Sequence, residues 1–317
     1  MVKILLMQKT YLRKYGLYIN NKMSFFLSKM PKKVIVIGDL HTDLDIFKEI
    51  LIKNNIINYL DEWCGKDTWV ICMGDTFDGC RPDIVKYDKD YLNNPMEMKL
   101  FYFILNLNMK ATLEGGACLS LMGNHDLFLF EEKNRSYCKN VDYNSYPTKR
   151  EELFKPGINM SVIMANTRPL VLVLGKYLFV HGGLTKNIIN KEGTLYDKVT
   201  LLNDELSKWL TSGKNEPYWL YTHNNPTMNR TFSRGGTEKE FNELLNMLPG
   251  IEKVIIGHTM VPRISSRFNG KLILTDVGLS RCFNKNIHYK WQILEIYNEN
   301  TYIISMDYNS KLKINVI

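Results

Sequence analysis

Three short apolar runs, Lys33–Ile37, Thr68–Met73 and Cys118–Met122, each stop at a glycine, and the stretches between them carry helical spacing. Runs of five or six residues without polar alternation predict strands buried on both faces, as in a parallel sheet. Between the first two, Leu44, Phe47, Ile50 and Leu51 fall on one helical face within Asp43–Asn54. Between the second and third, Met96–Lys110 is a helix candidate closed by Glu114-Gly115-Gly116. Strand–helix–strand–helix–strand leaves few arrangements, because parallel neighbours need crossovers and crossovers are right-handed. A βαβαβ core is therefore expected. A chain of 317 residues can bury roughly 75% of its unfolded surface, so neither disulfides nor a metal are needed merely to fold.

Downstream the pattern changes. Leu170–Val180 reads as two strands joined at Gly175-Lys176, Leu201–Leu210 and Glu238–Leu248 read as helices, and Val254–Ile256 is a short strand ending at Gly257. Lys271–Thr275, His288–Tyr297 and Thr301–Met306 read as an antiparallel finish. No repeat, low-complexity tract or Pro/Gly/Ser linker divides the chain. The expectation is one α/β sandwich over residues 31–317, two mixed sheets face to face around the βαβαβ core with helices outside. Residues 1–30 mix short apolar patches with Lys and Arg and are expected to be a loosely attached extension, with Met23 and Met30 as alternative starts.

Composition excludes several classes. A hydrophobic fraction of 45% with 12% aromatics rules out a mainly disordered chain. No run of ~18 apolar residues predicts a transmembrane helix, and the first thirty residues lack the apolar centre of a secretory signal. Six cysteines, Cys64, Cys72, Cys80, Cys118, Cys138 and Cys282, form no CxxC pair and read as reduced thiols of a cytoplasmic protein. The net charge of +8 suits anionic substrates such as phosphates, or nucleic acid, although a solvated lysine-rich surface is the more ordinary explanation.

The chemistry gathers where strands end, which is where open α/β sheets place function. Gly38-Asp39-Leu40-His41, Gly74-Asp75-Thr76-Phe77-Asp78, Gly123-Asn124-His125-Asp126, His181-Gly182-Gly183 and Gly257-His258 each close a separate predicted strand. A lone Gly-Asp or Gly-His is usually a turn; five in succession, holding four of the six histidines, are not.

The succession GDLH, GDTFDG, GNHD, HGGL, GHT resembles the calcineurin-like metallophosphoesterase superfamily over about Lys33–Ser280, and within it the phosphoprotein phosphatases, including the Shewanella-like branch. The resemblance implies a two-metal hydrolase. By it, Asp39 and His41 would hold one ion, Asp75 would bridge, and Asn124, His181 and His258 would complete the second. Two cations roughly 3.5–4 Å apart need such a bridging anion, and mixed carboxylate, imidazole and amide donors suit manganese, iron or zinc. His125 would be the general acid for the leaving oxygen, oriented and kept protonated by Asp78. The implied substrate is a phosphomonoester, foremost phosphoserine or phosphothreonine in proteins. Dinucleoside polyphosphates or other nucleotides are the alternative, and a catalytically weak metal-bound interaction module is the alternative of another class.

Two departures qualify the likeness. Where most protein phosphatases place a phosphate-gripping Arg directly after the second Asp, this chain has Gly79; Arg81, two residues on, is the candidate to reach the phosphate instead, with a displaced surface arginine as the alternative. The resemblance also implies a phosphate clamp from an arginine before the Gly257-His258 motif, here Arg230 with Arg234 behind it, and a guanidinium suits that role because it forks onto two phosphate oxygens. Nucleases of the superfamily usually end in GHxH; here Met260 follows Gly257-His258-Thr259, which counts against nucleic acid as substrate. Asp126 reads as a supporting carboxylate, Thr275–Ser280 as a wall of the site, and His223 and His288 as ordinary histidines. Assembly state is not encoded in any heptad or interface helix.

Overall fold

The computed structural model describes residues 18–19, 22–23, 25–79, 96–131, 150–190, 192–281, 283, 290–306 and 312–317. Among them, two six-stranded sheets face each other. The first sheet contains β4 (Lys33–Ile37), β5 (Trp69–Cys72), β6 (Ala117–Ser120), β12 (Gln292–Tyr297), β13 (Asn300–Met306) and β14 (Leu312–Val316), in the order β14-β13-β12-β4-β5-β6. The second contains β3 (Phe26–Leu27), β7 (Val171–Leu174), β8 (Tyr177–Val180), β9 (Lys253–Ile256), β10 (Ser265–Arg267) and β11 (Leu272–Leu274), in the order β10-β11-β9-β8-β7-β3. A separate ribbon pairs β1 (Tyr18–Ile19) with β2 (Lys22–Met23).

Period-2 side-chain alternation builds three apolar layers from these strands. Val34, Val36, Ile71 and Leu119 of the first sheet meet Leu172, Phe179, Ile255 and Ile273 of the second in the central layer. Ile35, Ile37, Val70 and Cys72 point the other way, onto α1 (Leu44–Lys53) and α2 (Met96–Leu113). Val171, Val173, Leu178 and Val254 face α4 (Asn159–Thr167), α5 (Leu195–Ser212) and α6 (Glu238–Asn246). Double-sided burial explains why the strands read as unbroken apolar runs. Helix α1 starts where Asp43 Oδ1 accepts from the Ile46 N–H at 3.3 Å, and it buries Ile46, Phe47, Ile50 and Leu51 completely, about 1.5–3 kcal/mol for each side chain.

The parallel βαβαβ unit is present: β4 pairs with β5 and β5 with β6, both parallel. The hairpin at Gly175-Lys176 is present as well. Two expectations need correction. Lys271–Thr275 does not join the antiparallel finish; Leu272–Leu274 lies in the second sheet, parallel to β9 and antiparallel to β10. Its three residues are buried on both faces, which suits an interior strand and not the half-exposed edge. Helix α5 begins at Leu195, ahead of the expected Leu201, because Thr194 and Asp197 form a capping box that supplies the first-turn amides with partners. The packed body also reaches back before Pro31: Phe25 is buried in the central layer and Phe26 pairs with Val173. Most of the expected extension lies outside the described residues.

Parallel β4, β5 and β6 and parallel β8, β9 and β11 end in loops along the same rim of the sandwich. That rim carries the informative residues.

Candidate active site

Asp39 and His41 follow β4, Asp75 and Asp78 follow β5, His181 follows β8 and His258 follows β9. Asn124 and His125 open the single turn α3 (Asn124–Leu127) after β6. Backbone bonds stitch these loops together. His41 N donates to Asp75 O at 2.8 Å and Gly257 N to His181 O at 2.8 Å. Carboxylates do the same work: the His125 N–H donates to Asp75 Oδ1 at 2.8 Å and the His258 N–H to Asp39 Oδ2 at 3.1 Å. His41, Asp75, Asp78 and His258 all sit at left-handed φ, 37°, 47°, 56° and 60°. Such strain persists only where surroundings over-determine it, and it concentrates at functional sites. Gly74, at φ +104°, shows the crowding: a Cβ there would lie 2.8 Å from His181 Nδ1 and from Gly123 N.

Asp75 is the hub. Its Oδ2 lies 3.3 Å from His181 Nε2, 3.8 Å from His41 Nε2 and 4.0 Å from His125 Nε2. Each histidine's tautomer is set from behind, as is usual for metal-binding imidazoles. His181 Nδ1 faces Met73 O at 2.7 Å, and a carbonyl only accepts, so Nδ1 donates and Nε2 turns to Asp75 and to Asn124 Oδ1 at 3.1 Å. His41 Nδ1 likewise faces the carbonyls of Phe77 and Asp78, each at 3.2 Å. His258 is reversed. Arg230 Nη2, which only donates, lies 3.4 Å from His258 Nδ1, so the proton sits on Nε2, 3.2 Å from Met228 O. His125 Nδ1 is 3.3 Å from Asp78 Oδ2.

Donor atoms of His41, Asp75 and His125 come within 4.8 Å of one another, as do those of Asp75, His181 and His258. One buried carboxylate common to two clusters is the arrangement a pair of cations requires. Electrostatics fit it too. Burial opposes a charge on Asp75, but His181, His125 and His41 hold its carboxyl well below the usual range. Burial pushes Asp39 well above that range, aided by the nearby Asp276. Burial also opposes a charged His181, yet Asp75 and Asp39 outweigh it and raise the ring to about 10. Burial, His181 and Arg230 hold His258 at about 2. Without a cation, a proton on His181 Nε2 supplies the positive charge between Asp75 and Asn124. The residues present therefore fit a dinuclear centre.

All six expected metal-site residues, with His125 and Asp78, are brought to one place. Asp39 is turned toward the His181 and His258 side, 3.9 Å from His181 Nδ1. Of the arginines, Arg230 reaches the site, donating to His258 O at 3.1 Å, with its Nε buried and unpartnered. Arg234 is exposed and near enough to Arg230 to lower its pKa, after burial. Cys80, Arg81 and His288 lie outside the described residues, and His223 is exposed. The Thr275–Ser280 wall is seen in Thr275 Oγ1 donating to Ile256 O at 2.8 Å and Ser280 Oγ to His41 O at 3.2 Å.

Sequence reasoning missed Arg168. Its Nη1 lies 3.1 Å from Asp126 Oδ1 and donates to Thr76 Oγ1 at 2.5 Å. Asp126 in turn accepts from the Thr76, Phe77 and Gly123 amides at 3.1, 3.3 and 2.8 Å. This fully buried pair clamps the Asp75–Asp78 loop to the Asn124–His125 turn. Thr-Arg-Pro before an apolar strand carries no local signal of it. Phe128 and Phe283 were also unforeseen, with ring centroids 5.3 Å from His125 and 5.0 Å from His41.

Comparison with known proteins agrees with this geometry. The calcineurin-like phosphoesterase family model matches residues 32–262. The Shewanella-like protein phosphatase 2 of Arabidopsis thaliana is 26% identical over 305 aligned positions, covering 79% of this chain and 72% of that protein. The Shewanella-like protein phosphatase 1 of Plasmodium berghei is 23% identical, covering 80% and 68%. Among solved structures, a cold-active protein-tyrosine phosphatase of a psychrophilic Shewanella superimposes with a TM-score of 0.64 at 21% identity, covering 90% of this chain and 80% of that one. A protein serine/threonine phosphatase from Saccharomyces cerevisiae superimposes with a TM-score of 0.56 at 13% identity, covering 96% and 88%. With the family matched over most of its length, this chain belongs to the calcineurin-like phosphoesterases and is a metal-dependent phosphatase.

Proposed function

We propose that the protein hydrolyses phosphomonoesters of proteins, phosphoserine and phosphothreonine foremost, with two divalent cations, manganese by preference. The observation that carries this reading is one buried carboxylate, Asp75, with His41 on one side and His181 and His258 on the other, beside His125 backed by its own carboxylate. His41 (through Nε2), Asp75, Asn124 (Oδ1), His181 (Nε2), His258 (Nδ1) and Asp39 would hold the ions. The chemistry such ions supply when bound is neutralised phosphoryl charge and an acidified water.

The chain's own residues do the rest. Asp78 holds the Nδ1 face of His125, leaving Nε2 to deliver a proton to the departing oxygen; positioned proton transfer of this kind is worth typically 10²–10⁴-fold. Arg230 stands beside His258 with an unpartnered Nε, placed to fork onto phosphoryl oxygens. Arg234, one turn on and exposed, adds positive charge near Arg230. Three described cysteines, Cys64, Cys72 and Cys118, are free, and burial pushes the Cys72 thiol up to about 12. Free thiols, two of the three buried, are in keeping with a reducing, cytoplasmic setting. Among the described residues no helix is long and apolar enough to cross a membrane.

A second reading, phosphotyrosine as substrate, is favoured by the half-buried rings of Phe128 and Phe283 against His125 and His41, which suit a flat leaving group. The relative from Shewanella described as a protein-tyrosine phosphatase agrees with it. The test is a panel of phosphoserine, phosphothreonine and phosphotyrosine peptides beside diadenosine tetraphosphate and single-stranded DNA, with manganese or with chelator. Chelator-sensitive release of phosphate from serine and threonine peptides is the expected result. Hydrolysis confined to diadenosine tetraphosphate would refute protein phosphate as substrate, and a tyrosine-only result would select the second reading.

A further inference from the structure

Gly79 occupies the position where the resemblance calls for a phosphate-gripping arginine, and the structure explains why no side chain stands there. A Cβ on Gly79 would lie 2.8 Å from the His41 carbonyl oxygen and inside contact distance of Thr42 Oγ1. Thr42 cannot easily retreat. It is 3% exposed, its N–H donates to Thr76 O at 3.0 Å, and its own carbonyl accepts from the Leu44 N–H at 2.9 Å. It also sits at φ +66°, where a β-branched residue is a genuine outlier. A strained, buried threonine between two candidate metal-binding loops is a costly filler unless it has a task.

We propose that Thr42 and Gly79 form a complementary pair in which Thr42 fills the path of a residue-79 side chain and so determines how substrate phosphate is gripped. With that path filled, no guanidinium enters from the β5 loop at position 79. Among the described residues, guanidinium contact with phosphate is then left to Arg230, which lies against His258. The consequence for specificity rests on the phosphatase reading above; the steric pairing does not.

Two measurements separate these claims. The first is thermal melting of metal-free protein for Gly79→Ala in the wild-type background and in a Thr42→Gly background. Glycine is at ease at the φ of residue 42, so the second background should fold. Overpacking by one methyl group should lower the melting temperature by roughly 5 °C beside Thr42 and by measurably less beside Gly, where only the approach to the His41 carbonyl oxygen remains. Equal losses in both backgrounds would overturn the pairing, whatever the protein hydrolyses.

The second is calorimetric titration of the manganese-loaded protein with orthophosphate, which needs no turnover. Thr42→Gly/Gly79→Arg should bind orthophosphate at least about five-fold more tightly than Thr42→Gly, because removing Thr42 Oγ1 relieves the tightest contact on a residue-79 Cβ, the approach to the His41 carbonyl oxygen is left to a small backbone shift, and the phosphate gains a charged partner. Unchanged or weaker binding would overturn the claim that this pair sets the grip. Coupled melting with no hydrolysis of any phosphopeptide would leave the pair standing and remove the proposed substrate class.

Discussion

Replacing Arg168 by methionine should unfasten the active-site rim from within. Asp126 is 0% and Arg168 3% exposed, and their closest approach is 3.1 Å. Removing one member of such a pair leaves a buried charge uncompensated, at about 3–5 kcal/mol. Two smaller effects partly cancel. Arg168 stacks over Phe77 and Phe101, at 5.3 and 5.1 Å, and losing that contact costs about 1–2 kcal/mol. Its Nη2, however, is buried without a partner, and removing an orphaned donor returns about 1–3 kcal/mol. The net loss should be about 3 kcal/mol, or roughly 6 °C in melting temperature. Urea unfolding of Arg168→Met, Asp126→Asn and the double variant measures it. The double variant should be more stable than the sum of the single losses predicts, because neither then strands a charge. A loss under about 1 kcal/mol for Arg168→Met, or simple additivity in the cycle, would refute the clamp.

Three further outcomes follow from the site itself. His125→Ala should cut turnover of p-nitrophenyl phosphate by about 10²–10⁴-fold while elemental analysis still finds two ions per chain; undiminished turnover would discard His125 as the acid. Asp75→Asn removes the charge that both clusters share and should lower metal occupancy of both positions; full occupancy would exclude a bridge. Metal affinity should rise with pH. Without metal, His181 is raised from 6.5 to about 10, so its proton stabilises the metal-free fold fully below about pH 6.5 and that contribution is lost through pH 10. A ligating imidazole must be neutral, so loading expels this proton. Manganese titrations from pH 7 to 9 should show tightening affinity and proton release, and a flat profile would contradict the protonated state.

Local sequence was enough for the elements whose residues carry their own instructions. Asp43 caps a helix with Leu44, Phe47, Ile50 and Leu51 at one-face spacing, and that helix forms. The run from Lys33 to Ile37 is buried from Val34 onward, so its apolar continuity expressed its position between two layers. The start of α5 was legible in Thr194 and Asp197, although the apolar spacing alone placed it later. The antiparallel finish was misjudged at Leu272–Leu274 because a three-residue apolar run says nothing about its neighbours. Its partners, Val254–Ile256 and Ser265–Arg267, are chosen by tertiary packing.

The same division runs through the site. Polar residues at five strand ends already indicated which side chains gather at the rim, since a strand end in a parallel sheet can open only onto that shared edge. Their order along the chain conveyed the family. What local sequence left open was everything decided by contact between distant segments. Arg168 meets Asp126 across 42 residues of chain, Phe283 settles on His41, and Thr42 closes the space beside Gly79. A pairwise contact depends on two backbones arriving together, and neither partner's local pattern records the other. Residue types along this chain therefore pointed to the family, whereas the meeting of its two sheets determined the tautomers, the buried clamp and the crowding beside Gly79.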